Sequence, residues 1–240
     1  MKCDICHKNM LGKYYIDRHN NKICASHLDN REVQICSSCG RFTVEQPISD
    51  GRCICKKCRS EIITTQREIH ECLLYVKEIL LGLGLDYGKC SIEKIPVEIV
   101  SAKKMAEIRK LSINTHNKGV TFTETHMQGI SSEDMYVVGH SHKIYILSDL
   151  PKLEFLGTLA HELLHVYLNE YDIKLDSKLC EGFCNMGAYF IYINNTSSIS
   201  HFYFENLKNN PDPVYGEGFR FMLDKYEKYG WDCIIKMINK

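Results

Sequence analysis

The sequence predicts an α+β fold in two parts, and three observations predict it. Eight of the thirteen cysteines fall within the first sixty residues, in a stretch poor in large apolar side chains. From Glu61 to Leu85 apolar residues recur at helical spacing: Ile62, Ile69 and Val76 lie seven apart, with Leu73 and Leu80 on the adjacent stripe. Beyond that helix, short extended runs precede long apolar segments of helical character, the order of a small sheet with helices packed on it. The expected division is a tandem module over 1–60, a connecting helix over 61–90 and a second domain over 91–240.

The first module is read from spacing. Cys3-x-x-Cys6 is followed after seventeen residues by Cys24-x-x-His27, and Cys36-x-x-Cys39 after fifteen by Cys55-x-x-Cys58. Each knuckle places two ligands on one side of a tight turn, and two knuckles complete a tetrahedron about zinc. Two structural zinc ions are therefore expected, with turns at Asp17–Lys22 and Ser49–Arg52 between the knuckles. Cys53 can replace Cys55 as a ligand, but Cys55 has the two-residue spacing to Cys58. His7 and His19 lack a partner at knuckle spacing. Buried reduced cysteines are a poor alternative, because the segment has little core to bury them in; without metal it should barely fold.

The remaining elements follow in order. Gly82, Gly84 and Gly88 stop the connecting helix. Pro96–Val100 reads as extended, and Ser101 as the N-cap of a helix reaching Leu111. Gly119–Thr123 and Met135–Val138 read as strands. Gly139-His140-Ser141-His142 reads as a turn into Lys143–Leu147, which puts His140 and His142 at a hairpin tip facing solvent. Asp149-Leu150-Pro151 opens the next helix. Further helices are expected from Lys178 to Ile193, at Ser200–Lys208 and at Val214–Tyr229.

Composition narrows the function. An apolar fraction of 44% and a charged fraction of 25% are those of an ordinary globular protein. The net charge is zero, which gives no bulk affinity for nucleic acid or for a membrane surface. No apolar run approaches the roughly 20 residues of a membrane span. Met1-Lys2-Cys3-Asp4 lacks the apolar core of a signal peptide. Thirteen cysteines in that context point to metal thiolates in a reducing compartment, so a cytoplasmic location is expected.

The segment Gly157–Glu170 carries His161-Glu162-Leu163-Leu164-His165. On a helix the two histidines stand one turn apart on one face and can share a metal ion, with Glu162 beside them to take a proton from water. A third ligand leaves one position open. Glu181 is the chosen candidate, because the fifteen residues after His165 let the chain turn back in a second helix. Glu170, Asp172 and Asp176 compete for the role; Glu170 is too close in the chain, and the two aspartates lie in the expected turn. Asn185, one turn beyond Glu181, can accept the second ring N–H of a ligating histidine.

With these residues in view, the chain resembles the DA-one-like family of LIM-linked zinc metallopeptidases, of gluzincin type. The likeness rests on GTLAHELLH (157–165), EGFCN (181–185), PVYGEGFR (213–220), IPVEIV (95–100) and the finger order CDIC, CASH, CSSC, CICKKC, and it covers most of the 240 residues. It implies a LIM-like double zinc finger joined by a helix to a gluzincin-type peptidase domain. It also implies a link to ubiquitin signalling. There are departures. His27 and Cys36 are separated by eight residues where ordinary LIM halves are separated by two, which suggests looser stacking. Cys180 stands where the family often has an acidic residue. The ubiquitin-interacting segments of the plant proteins have no counterpart, so activation by ubiquitin is not carried over.

The expected reaction is zinc-dependent hydrolysis of a peptide bond in a protein or peptide substrate, by an endopeptidase rather than an exopeptidase. His161, His165 and Glu181 hold the catalytic zinc, and Glu162 moves the proton. Tyr215 is the first candidate to meet the oxyanion, followed by His201 and Arg220; a packed Tyr215 with a satisfied hydroxyl is the plain alternative. His116 and His126 have no assigned role. Two other classes compete. In one, the chain is a zinc-finger adaptor whose peptidase domain is latent or degenerate, against which the intact Glu162 argues. In the other, the fingers bind nucleic acid, but acidic residues from Asp4 to Asp50 interleave with the basic ones and leave no basic stripe. The fingers are instead expected to dock the substrate or a partner protein.

Overall fold

The computed structural model describes residues 1–129 and 134–239. It is an α+β protein and divides into two compact units, Met1–Ile62 with Asp149–Pro151, and Ile63–Ser148 with Lys152–Lys240.

In the first unit, antiparallel strands β1 (Tyr14–Ile16) and β2 (Lys22–Cys24) lead into a short helix α1 (Ala25–Asp29). A second antiparallel pair, β3 (Gln34–Ile35) and β4 (Phe42–Thr43), precedes helix α2 (Lys56–Arg59). The apolar core is small: Cys3, Ile23 and Val33 form one cluster, with Leu28 and Phe42 partly buried on it, and Ile54 is also fully buried. A buried carboxylate supplements it. Asp17 accepts hydrogen bonds from the backbone N–H groups of His19 and Asn21, from Asn21 Nδ2, and from Phe42 N at 2.8 Å on β4. Burial would raise its pKa, but these bonds outweigh burial and lower it. His19 Nε2 also lies 2.9 Å from the carbonyl oxygen of Cys39. The two halves are thus tied directly, and the long spacer does not leave them loose.

The second unit begins with α3 (Gln66–Gly82). It starts later than the apolar periodicity suggested, because Thr65 is its N-cap and closes a capping box with Glu68. Its buried face is Ile69, Cys72, Leu73, Val76 and Leu80. Strand β5 (Val97–Val100) leads into α4 (Ala102–Arg109), capped by Ser101 as expected. Strands β6 (Gly119–Gln128) and β7 (Tyr136–Leu147) complete a three-stranded sheet of order β5-β7-β6, in which β5 is parallel and β6 antiparallel to β7. β6 is an edge strand.

The sheet corrects one expectation. Gly139–His142 is not a turn: β7 runs through it, paired with β6 from Tyr136 to Ile146, with one irregularity at His126/Met127. Side chains alternate along a strand, so His142 shares the buried face of Ile144 and Ile146.

Helices α5 (Lys152–Glu170) and α6 (Ser177–Ile193) follow, then α7 (Ser198–Lys208), α8 (Tyr215–Tyr229) and α9 (Trp231–Ile238). α5 packs on β6 and β7, while α6 lies among α5, α7 and α8. This is why α6 is buried almost continuously from Gly182 to Tyr192. Its neighbours approach at backbone distance. A Cβ on Gly187 would stand 2.7 Å from the carbonyl oxygen of Ala160, and one on Gly182 would stand 2.4 Å from that of Gly218. α9 was not expected; Trp231 stacks on Phe183 with ring centroids 5.8 Å apart, and its Nε1 donates to the carbonyl of Leu83. No helix among the described residues is long and apolar enough to cross a membrane.

Gly218→Ala should be costly, since its Cβ would sit 2.2 Å from the carbonyl oxygen of Lys178 on α6. The expected loss in urea unfolding is about 1–3 kcal/mol. Gly139→Ala, where nothing lies within 4 Å, should be near neutral. Equal midpoints for the two variants would show that α6 and α8 do not need this approach.

Candidate metal centres

Four-ligand sets form where the knuckles predicted them. Cys3, Cys6, Cys24 and His27 bring their ligand atoms within 4.8 Å of one another, and so do Cys36, Cys39, Cys55 and Cys58. The sulfurs of Cys6 and Cys24 are 4.0 Å apart, and those of Cys39 and Cys55 are 3.7 Å apart. Thiolates at tetrahedral angles about one zinc lie about 3.8 Å apart, whereas disulfide sulfurs lie about 2.05 Å apart. All thirteen cysteines are free thiols. In the first set, His27 Nε2 is buried without a hydrogen-bond partner while its Nδ1 lies 2.6 Å from Glu32. In the second, Cys36 is driven below the ordinary thiol range, chiefly by hydrogen bonds from Cys39 and Cys58, and Cys39 is pushed up to about 12 by Cys36. Sulfurs so close cannot all ionise unless a cation is shared. Both sets fit zinc. Cys53 is buried outside the second set, with its N–H on Ser37 Oγ at 3.2 Å.

A third convergence lies between α5 and α6. His161 and His165 stand one turn apart on α5, with Nε2 atoms 3.2 Å apart. Glu181 Oε2, from the first turns of α6, lies 3.2 Å from His161 Nε2 and 3.7 Å from His165 Nε2. Nitrogen and oxygen donors sharing a tetrahedral zinc would be about 3.3 Å apart. Glu181 Oε2 is buried and accepts no hydrogen bond. These three side chains therefore fit one zinc ion, with room for a fourth donor. His161 Nδ1 lies 3.0 Å from Asn185 Oδ1, and Asn185 Nδ2 donates to the carbonyl of Tyr215.

Glu162 meets the sheet. It is buried, and Thr121 Oγ1 on β6 donates to its Oε2 at 2.7 Å. β6 can lie this close because residue 119 is glycine: a Cβ there would meet Glu162 Oε1 at 2.3 Å. Arg109 Nη1, at the end of α4, reaches the carbonyl of Gly119 at 3.4 Å. Tyr215 opens α8 with its ring stacked 6.5 Å from that of His161. Burial, then the charge of Glu181, pushes its hydroxyl up to about 12 against the opposing pull of Arg109. It is thus a protonated donor at neutral pH. Thr121 and Arg109 were missed in the sequence; neither belongs to a local motif, and both reach the site through sheet register.

The other candidates are employed elsewhere. Arg220 Nη1 donates to the carbonyls of Lys208 and Asn210, and His201 is exposed with its ring near Phe204. Asp176 caps α6 through the N–H groups of Lys178 and Leu179, and Asp172 lies 3.7 Å from His140. Glu170 is 2.6 Å from His142 Nε2, with Cys90 beside them. That separation is a hydrogen bond, too short for two donors sharing a zinc. His142 is buried on Thr123 and Glu170, and the side chain of His140 is also covered, so neither faces solvent. His126 bonds Ser141 at 3.0 Å.

Fold and centres define a class: an α+β protein with two zinc-finger-type clusters and a third, two-histidine and glutamate convergence that fits a metal ion. Its relatives are DA1 proteins. It is 22% identical to protein DA1 of Arabidopsis thaliana over 295 aligned positions, covering 95% of this chain and 54% of that protein. To DA1-related 1 of the same plant it is 23% identical over 289 positions, covering 91% and 51%. The chain spans about half the length of these relatives, which support a DA1-like family. No family model and no solved structure matches it.

The Gly119 contact is testable by a double-mutant cycle. Gly119→Ala should destabilise the chain by about 1–3 kcal/mol, and much of that loss should vanish in a Glu162→Ala background, where the obstructing carboxylate is gone. Additive losses in urea unfolding would mean that Gly119 and Glu162 are not in contact.

Proposed function

We propose that the chain is a zinc-dependent endopeptidase acting on a protein substrate, with two structural zinc ions in the fingers and one at the α5–α6 centre. The observation that carries this reading is the buried, hydrogen-bond-free Glu181 Oε2 among two imidazole nitrogens, with Glu162 next to them on the helix. His161, His165 and Glu181 would hold the catalytic ion. Zinc supplies Lewis acidity and makes water a nucleophile near neutral pH. Glu162, held by Thr121, takes a proton from the attacking water on its carboxylate and returns it to the leaving amine. Tyr215 donates its hydroxyl proton toward the developing oxyanion, and Arg109 adds positive charge beside it. Among the described residues β6 is the edge strand beside Glu162, and its edge beyond the Gly119 carbonyl held by Arg109 suits an extended peptide, which can add as a strand and run on past both sides of the scissile bond. Free thiols throughout fit a reducing, cytoplasmic setting.

Two variants test the centre against the adaptor alternative. The parent should hold three zinc ions and cleave peptides from an unbiased library. Glu162→Gln should keep all three ions and lose about 10²–10⁴-fold in rate. Glu181→Ala should lose the third ion together with activity. A Glu162→Gln variant as fast as the parent, or a parent inert with three ions bound, overturns the peptidase reading.

We further propose that the fingers dock the substrate. Their metal sets are closed and activate no water, and tethering raises the effective concentration of a protein substrate at the centre. A still-folded chain lacking residues 1–60 should cleave a short unstructured peptide nearly as well as the parent and a protein substrate more slowly. Parallel losses on both substrates would sink the docking role.

A further inference from the structure

The two histidines of the α5–α6 centre are not held alike. An imidazole that offers Nε2 to a metal must carry its proton on Nδ1, and an acceptor at Nδ1 selects that tautomer. For His161 the acceptor is an amide oxygen whose direction is itself set, because Asn185 donates its Nδ2 to the Tyr215 carbonyl and leaves Oδ1 for the ring. For His165 the group at Nδ1 is a sulfur: Cys180 Sγ, 3.7 Å away. Both acceptors come from α6, one on each side of Glu181, so one helix supplies a ligand and the supports of both remaining ligands. Sulfur is a weaker and larger acceptor than oxygen, which explains the longer contact.

We propose that Cys180 is a positioning residue that accepts the Nδ1–H of His165 and so aims its Nε2 at the point shared with His161 and Glu181. This rests on the metal-centre reading above. A rival arrangement exists in the same place, since His165, Cys180 and the fully buried Cys184 also bring their ligand atoms within 4.8 Å. There Nδ1 would face a metal held by the two sulfurs, and the ring would serve a different site. The geometry favours positioning, because His165 Nε2 already faces His161 and Glu181.

The experiment is zinc competition against a chelator with the full chain, measuring the affinity of the third ion, with thermal melts as a check on folding. Loss of an outer partner typically weakens metal binding about 10–100-fold. Cys180→Ala should weaken the third ion by that amount and leave the two finger ions in place. Cys180→Asp, which restores a stronger acceptor at the same position, should recover parental affinity or exceed it. Cys184→Ala should bind the third ion as the parent does. A purely structural role for the sulfur predicts no rescue by aspartate. Unchanged affinity in Cys180→Ala, or absence of rescue, overturns the proposal. Equal losses in Cys180→Ala and Cys184→Ala overturn it in favour of sulfur ligation. A parent that holds only the two finger ions removes the metal centre itself, and this inference with it.

Discussion

The α5–α6 centre depends on how closely α6 can lie against its neighbours. Glu181 reaches the two histidines because backbone meets backbone along this helix, at Gly187 against Ala160 and at Gly182 against Gly218. A methyl group at either glycine would force the helices apart by a distance comparable to the tolerance of a metal site. The donors also ride on helices rather than loops, and each is partly buried, which limits its rotamers. The oxygen of Glu181 that this approach brings to the histidines is buried and has no hydrogen-bond partner, and it is the clearest mark of the centre.

The sheet contributes by proximity rather than by ligands. β6 lies over α5 at the one residue without a side chain, and Thr121 two positions later meets the carboxylate that Gly119 leaves room for. A period of two along the strand puts both on the face toward the helix. Arg109 binds the same strand through the Gly119 carbonyl. The buried glutamate is therefore oriented by one strand at the edge of the sheet among the described residues, and Arg109 holds that strand at Gly119.

Much of the centre was legible because its spacing is local. His161 and His165 are one helical turn apart, and Asn185 stands one turn beyond Glu181, so their convergence with the neighbouring helix required little tertiary information. The knuckles were legible for the same reason. The boundary of α3 was misplaced because periodicity ran past a Thr65–Glu68 capping box, a local signal outranked by a pattern. His140 and His142 were misplaced differently. Glycine, serine and two histidines read as a turn, but the strand pairs with β6 along its whole length, and tertiary burial overrode the local preference. Arg109 and Thr121 carry no local signal. Cys180 was visible only as a departure from a family pattern; its contact with His165 gives the position a physical meaning.

Asp17 and His19 have a consequence for how the first unit holds together. Both belong to the segment between the first pair of knuckles, yet their bonds end on Phe42 and Cys39 in the second. The two clusters are therefore not beads on a string. A buried carboxylate that accepts from both halves makes each half part of the other's solvent exclusion, and its bond from Phe42 forms only when both are in place. With so little apolar core, these two bonds couple the halves. Separating the halves would strip Asp17 of its Phe42 donor and His19 of its Cys39 carbonyl, so an exchange of one half alone costs the other both bonds.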